Sequence, residues 1–211
     1  MALTLKLPTV DGTLETYQVD GAPIAIPSGG PIRCRTAFAA AHVVSDPLAD
    51  IDPIDSEAFD WDATLRYRHY LWSLGLAVAE AMDTAQRGAG LNWPSAQELI
   101  ARSVKEANAV GGKIACGAGT DHLTPADGIR PDDVTAAYEE QVSFVEDAGG
   151  QVILMASRAL SKAARSPDDY LRVYGKILSQ VKQPVILHWL GDMFDPQLAN
   201  YWGTSDVNVA M

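Results

Sequence analysis

Cysteine is scarce in this sequence: there are two, Cys34 and Cys116, in 211 residues. Neither belongs to a Cys-x-x-Cys pair and there is no third thiol. That excludes a thiolate metal cluster and a disulfide framework. Nothing in the spacing demands a Cys34–Cys116 bridge, so the thiols point to a reducing cytoplasm. Positive charge is also short: Lys and Arg number 16 against 27 Asp and Glu, a net charge of −11. Nucleic acid or an anionic membrane would need a basic face, so neither is an expected partner. No apolar run approaches the ~20 residues of a membrane span. The opening Leu3–Lys6 run is too short for a secretion signal. Repeats and low-complexity tracts are missing, apart from an acidic, proline-bearing loop from Ser45 to Asp62. So are the HxH and HExxH metal pairs, the GxSxG nucleophile elbow and the lysine of a P-loop.

What is present suits a folded α/β protein of one large domain or two small ones, with 47% apolar and 20% charged residues. Leu3, Leu5, Leu14 and Tyr17 alternate about Asp11-Gly12, a hairpin signal, and Pro23 to Pro31 is a connector. Strand and helix patterns then take turns. The first half of Ile32–Val44 reads as strand one, Asp60–Ser73 as a helix, and Leu76–Ala81 as strand two, although its pattern would equally continue the helix. A helix capped by Ser95 runs over Ala96–Asn108, and Lys113–Thr120 is strand three running into a glycine loop. Asp132 or Asp133 caps a helix over Val134–Asp147, and Gln151–Ala156 is strand four. Ser166-Pro167 starts a helix to about Lys182, and the apolar run Val185–Leu187, after Pro184, is strand five. A last helix starts after Ser205-Asp206 and breaks off at Met211.

Repeated strand–helix units predict a right-handed parallel arrangement. Five strands cannot close an eight-stranded barrel, which typically takes ~250 residues. The expectation is an incomplete (β/α)8 barrel over 32–211, from a truncated frame, preceded by a hairpin and connector over 1–31.

Polar residues gather after the strands, where such a fold keeps its chemistry. His42 follows strand one; Glu80, Asp83 and Thr84 follow strand two. Gly117, Gly119, Thr120, Asp121 and His122 end or follow strand three. Ser157 and Arg158 follow strand four, and His188 follows strand five. Arg158 suits bidentate binding of a carboxylate or phosphate. Each has a plainer reading: Asp83-Thr84 as a cap, the glycines as a tight turn, Arg158 as a surface ion pair, His188 as a hydrogen-bonded structural residue. An alternative set, Glu80, Asp121, His122 and His188, would hold a divalent metal in an isomerase or epimerase, although no sequence spacing supports it.

Met82–Gln86, followed by Trp93-Pro94-Ser95 and a helix, resembles the Gly-Thr-Thr-Gly-Glu loop and next helix of dihydrodipicolinate synthases and N-acetylneuraminate lyases. Ile114–Gly119 resembles their third strand and Pro184–Gly191 their fifth. More closely, Ala79–Gly88, Gly117–Leu123 and Val185–Pro196 resemble a bacterial family known as a domain of unknown function, DUF993. The resemblance implies an aldolase-type barrel that joins or cleaves carbon–carbon bonds of a 2-oxo acid or sugar-derived substrate. It implies a Schiff base on a strand-six lysine, which would lie past Met211. Asp83 and Thr84 fall on the family's paired threonines and His188 on its proton-relay tyrosine, as catalytic residues. His42, Gly117, Gly119, Thr120, Asp121 and Arg158 are the expected substrate-binding set. Ser157-Arg158-Ala159 departs from the family's aromatic pair. The expectation is a cytoplasmic lyase, homo-oligomeric, taking a small molecule, with no cofactor unless the metal reading holds. A non-catalytic small-acid binder is the further alternative.

Overall fold

The computed structural model describes residues 3–22, 35–52, 57–88, 90–124 and 126–211. Cys34 and the start of the predicted first strand lie outside them. The chain divides into two compact units, 1–32 and 33–211. In the first, β1 (Leu3–Pro8) pairs antiparallel with β2 (Leu14–Val19), in register from Leu3↔Val19 to Pro8↔Leu14. Gly12, at φ 79, makes the predicted turn.

The second unit alternates β3 (Phe38–Ala40), α1 (Trp61–Ser73), β4 (Ala77–Glu80), α2 (Trp93–Val110), β5 (Ile114–Ala118), α3 (Pro131–Asp147) and β6 (Gln151–Met155). It continues with α4 (Arg158–Ala163), α5 (Pro167–Leu178), β7 (Ile186–His188) and the short α6 (Val207–Ala210). The five strands β3 to β7 pair in chain order, all parallel, in a curled half-barrel sheet. No helix among the described residues is long and apolar enough to cross a membrane.

Side chains alternate across this sheet. Cys116, Ala118, Val152 and Leu154 face the helices, joining Leu99, Ile100, Val104, Tyr138 and Val145 in the main core. The other face carries Ala79, Ala115, Ile153 and Met155, which cluster with Met82, Phe38 and Ile186. Alanine and glycine on this concave side let the sheet curl. A Cβ at Gly117 would lie 2.6 Å from the Ala81 carbonyl oxygen and 2.8 Å from Met155 Sδ.

Several boundaries differ from the sequence reading. The described part of the first strand is in the second half of the apolar run, not the first. α2 starts at Trp93, with Asn92 rather than Ser95 as its cap; Asn92 Oδ1 accepts Ser95 N–H at 3.0 Å. Pro94 is no obstacle, because the first-turn amides have no partner within the helix. α3 likewise starts three residues early, at Pro131. Asp133 does not cap from outside; it lies in the first turn and accepts the Arg130 N–H at 3.0 Å. Ser157 caps a six-residue helix, α4, that no periodicity announced. α5 ends at Leu178, short of Lys182. β7 is displaced by one residue, so His188 is its last member.

The same alternation corrects the role of Glu80. With Ala79 on the concave face, Glu80 points outward beneath α1. There Arg68, as fully buried as Glu80, binds it twice, Nε to Oε2 at 2.8 Å and Nη2 to Oε1 at 2.7 Å. Arg68 Nη1 also donates to the His42 carbonyl at 2.6 Å, tying α1 to the exits of β3 and β4. Glu80 is therefore a structural anion with its charge already neutralised, not a metal ligand.

Candidate functional site

A cleft opens at the C-terminal ends of β4 to β7, where the strand-following segments meet. Its 130 Å³ is room for roughly four waters at ~30 Å³ each. Asp83 comes from the turn after β4, Gly119, Thr120 and Asp121 from the exit of β5, Ser157 and Arg158 from β6, and His188 from β7. Asp195 and Leu198 close the far side.

The turn after β4 is held by backbone strain and charge. Ala81 takes φ 53, a left-handed position uncommon for a residue with a Cβ. Its N–H donates to Glu80 Oε1 at 2.9 Å, and its carbonyl accepts from Arg87 Nη1 at 3.2 Å. Arg87 has 1% of its side chain exposed. Nη1 also donates to the Gly117 carbonyl at 3.1 Å. Nε and Nη2 grip Asp121 Oδ2 and Oδ1 at 3.1 and 2.6 Å, and Nη2 reaches Gln141 Oε1 at 2.7 Å. All five N–H groups are used, and the guanidinium lies 5.3 Å from the Trp93 ring centre. Burial raises the Asp121 pKa, but the hydrogen bonds and charge of Arg87, helped by Gln141, outweigh it and hold that pKa below its usual value.

Gln141, on α3, completes the lock. Its Oε1 accepts from the Gly119 amide at 2.6 Å and from Arg87, both pure donors. Its Nε2 therefore faces Asp121 Oδ1 at 3.0 Å and His122 Nδ1 at 2.7 Å. His122 Nδ1 must accept, which leaves its proton on Nε2, 3.3 Å from Glu140 Oε2.

On the opposite wall Arg158 Nε donates to Asp195 Oδ2 at 2.6 Å. Asp195 Oδ1 is held by the Gln197 amide at 3.0 Å. The Arg158 side chain remains 43% exposed. Gly88, at φ 69, makes room for it; a Cβ there would lie 3.4 Å from Nη1. His188 Nδ1 is 3.9 Å from Asp83 Oδ2, too far for a direct hydrogen bond.

Of the expected residues, Asp83, Gly119, Thr120, Asp121, Arg158 and His188 line one cleft. Four others do not. Thr84 is exposed and turns away, because the 3₁₀ turn Asp83–Ala85 directs successive side chains to different sides and buries Ala85. The His42 ring stacks on Tyr67 of α1, centres 5.2 Å apart, and its Nδ1 meets the Val43 carbonyl at 3.1 Å. Gly117 is packed inside the curl of the sheet, and the Gly119 amide is engaged by Gln141, so neither offers an N–H cradle. His122 faces Trp93 and Glu140, in a separate shallow depression. With Glu80 on Arg68 and Asp121 on Arg87, the four candidate metal ligands do not converge. Among the described residues no group of three or more His, Cys, Asp or Glu is placed to hold a metal.

Arg87, Gln141 and Asp195 were not among the expected site residues. Arg87 lies inside the Ala79–Gly88 block that carried the resemblance, which was its one signal. Cys116 is a buried free thiol, its pKa pushed up by burial and by the Glu80 charge. No curated protein matches the sequence. The family described as protein of unknown function, DUF993, matches residues 5–211, almost the whole length, and the chain belongs to that family.

Proposed function

We propose that the cleft binds a small 2-oxo or sugar-derived acid through Arg158 and moves a proton at the carbon beside its carbonyl. This is the acid–base part of lyase chemistry on an aldolase-type barrel. The observation that carries the reading is the Asp83–His188 pair, brought from two separate strands to 3.9 Å in the cleft that Arg158 enters. Asp195 fixes Arg158 through Nε and leaves both Nη groups for a carboxylate. The His188 imidazole takes the proton from the carbon. The C–H electrons move into the carbonyl and give an enolate, and Asp83 stabilises the imidazolium so formed.

The resemblance to the dihydrodipicolinate synthase group supports the reading, since His188 falls where those enzymes carry a proton relay. None of the six lysines of the sequence lines the cleft, and Lys162 is paired with Asp127 at 2.9 Å. A Schiff-base route would need an amine from outside these 211 residues. The first test is exchange of the methyl protons of pyruvate in D2O, followed by proton NMR. The protein is expected to exchange them well above the buffer rate, and His188→Phe to lower that rate by roughly a hundredfold. Exchange at the buffer rate, or an unaffected His188→Phe variant, would remove the acid–base reading and leave a binding role. Borohydride trapping with pyruvate tests the Schiff-base route separately.

A further inference from the structure

Thr120 leaves β5 and Ser157 leaves β6, and both line the cleft although they are only 5% and 2% exposed. Their hydroxyl oxygens are 2.6 Å apart. Ser157 Oγ also accepts the Leu160 N–H at 2.9 Å, as the cap of α4. The two hydroxyls bring two protons, and the bond between them uses one. If Ser157 donates, the Thr120 proton has no protein acceptor. If Thr120 donates, Ser157 already accepts twice and its own proton is the one left over. Neither oxygen has a further protein partner among the described residues. A hydroxyl this well hidden is costly unless its proton finds an acceptor, and the space it borders is the cleft.

We propose that Thr120 and Ser157 together present one hydroxyl donor to the cleft. That donor reads an oxygen of the bound acid next to the carboxylate held by Arg158, the residue that follows Ser157. The identity of the acid rests on the function proposed above; the spare proton does not. Sharing has a distinctive consequence. Removing either hydroxyl frees the other to donate, so one donor survives each single change and none survives both.

Pyruvate and propionate have like charge and similar size and differ by the 2-oxo oxygen, so their binding, followed by NMR titration, measures the donor. The wild-type protein is expected to prefer pyruvate by roughly tenfold or more, the scale of one lost hydrogen bond to a buried group. Thr120→Val and Ser157→Ala should each keep most of that preference. The double variant should lose it while binding propionate as before. The readout is a ratio of two affinities on one preparation, so a lower folded fraction after loss of the α4 cap cancels. Three results would overturn the proposal: a wild-type ratio near one, a double variant with the wild-type ratio, or a single variant that loses as much as the double. The wild-type ratio decides even if the double variant does not fold. Arg158→Leu separates the two ideas. It should weaken both acids, and two unchanged affinities would reject the anchor without touching the ratio that judges the hydroxyls.

Discussion

A guanidinium with every N–H bonded and almost no exposed surface cannot be trimmed without stranding its acceptors. Arg87→Met would leave Asp121 without its cation and the Ala81 and Gly117 carbonyls without that donor. Breaking a buried pair in this way costs about 3–5 kcal/mol. The Asp121 pKa is lower in the folded protein than its unfolded value near 3.8. The pair's contribution is therefore fully present above that value and is lost as pH falls through the folded pKa. Urea unfolding measured from pH 7 down to pH 2 should show the wild-type advantage over Arg87→Met shrinking below about pH 4. A constant difference across that range would mean that Asp121 does not respond to Arg87. At this scale the sequence was legible only in part. Asp83, Arg158 and His188 were found because they follow apolar strands. Arg87 and Gln141 were not, because their bonds join residues 34 and 54 positions apart, and no local pattern marks such pairs.

Strands and helices were easier to read than side-chain directions. The helix expected over Asp60–Ser73 is α1, with Asp60 as its cap, Oδ1 taking the Ala63 amide at 2.8 Å, and Gly75 follows it at φ 81. The failures come from parity and turn geometry. Glu80 and Asp83 both follow the same apolar run, yet strand alternation sends Glu80 under α1 while the next turn sends Asp83 into the cleft. Thr84, one residue on, is lost to solvent for the same reason. Gly117 in β5 and Gly119 just past its end also divide by environment. Gly117→Ala forces a carbon against the Ala81 carbonyl, and overpacking of this kind costs about 1–3 kcal/mol. At Gly119 the nearest atom to an added Cβ is at 3.5 Å. Gly119→Ala should therefore unfold at nearly the wild-type denaturant midpoint and Gly117→Ala at a clearly lower one. Equal midpoints would show that β5 relaxes around either substitution.

Taken whole, the second unit presents a sheet whose outer strands, β3 and β7, each have one edge without a strand partner among the described residues. Near β7, Leu187 is 51% and Phe194 75% exposed. An unpaired edge beside apolar side chains favours association. The net charge of −11 opposes it, and salt screens that repulsion. Sedimentation at micromolar concentrations is expected to show species larger than the monomer, increasing with ionic strength. A single monomeric species at both low and high salt would mean that these surfaces are covered within the chain.

The order of the sheet also bears on how the protein comes to be folded. Every strand from β4 to β7 pairs with the strand before it in the chain, and none is inserted later between two earlier ones. Each strand–helix unit can therefore dock on what has already formed as it leaves the ribosome, without undoing an existing pairing. The sheet can be laid down in the order in which it is synthesised.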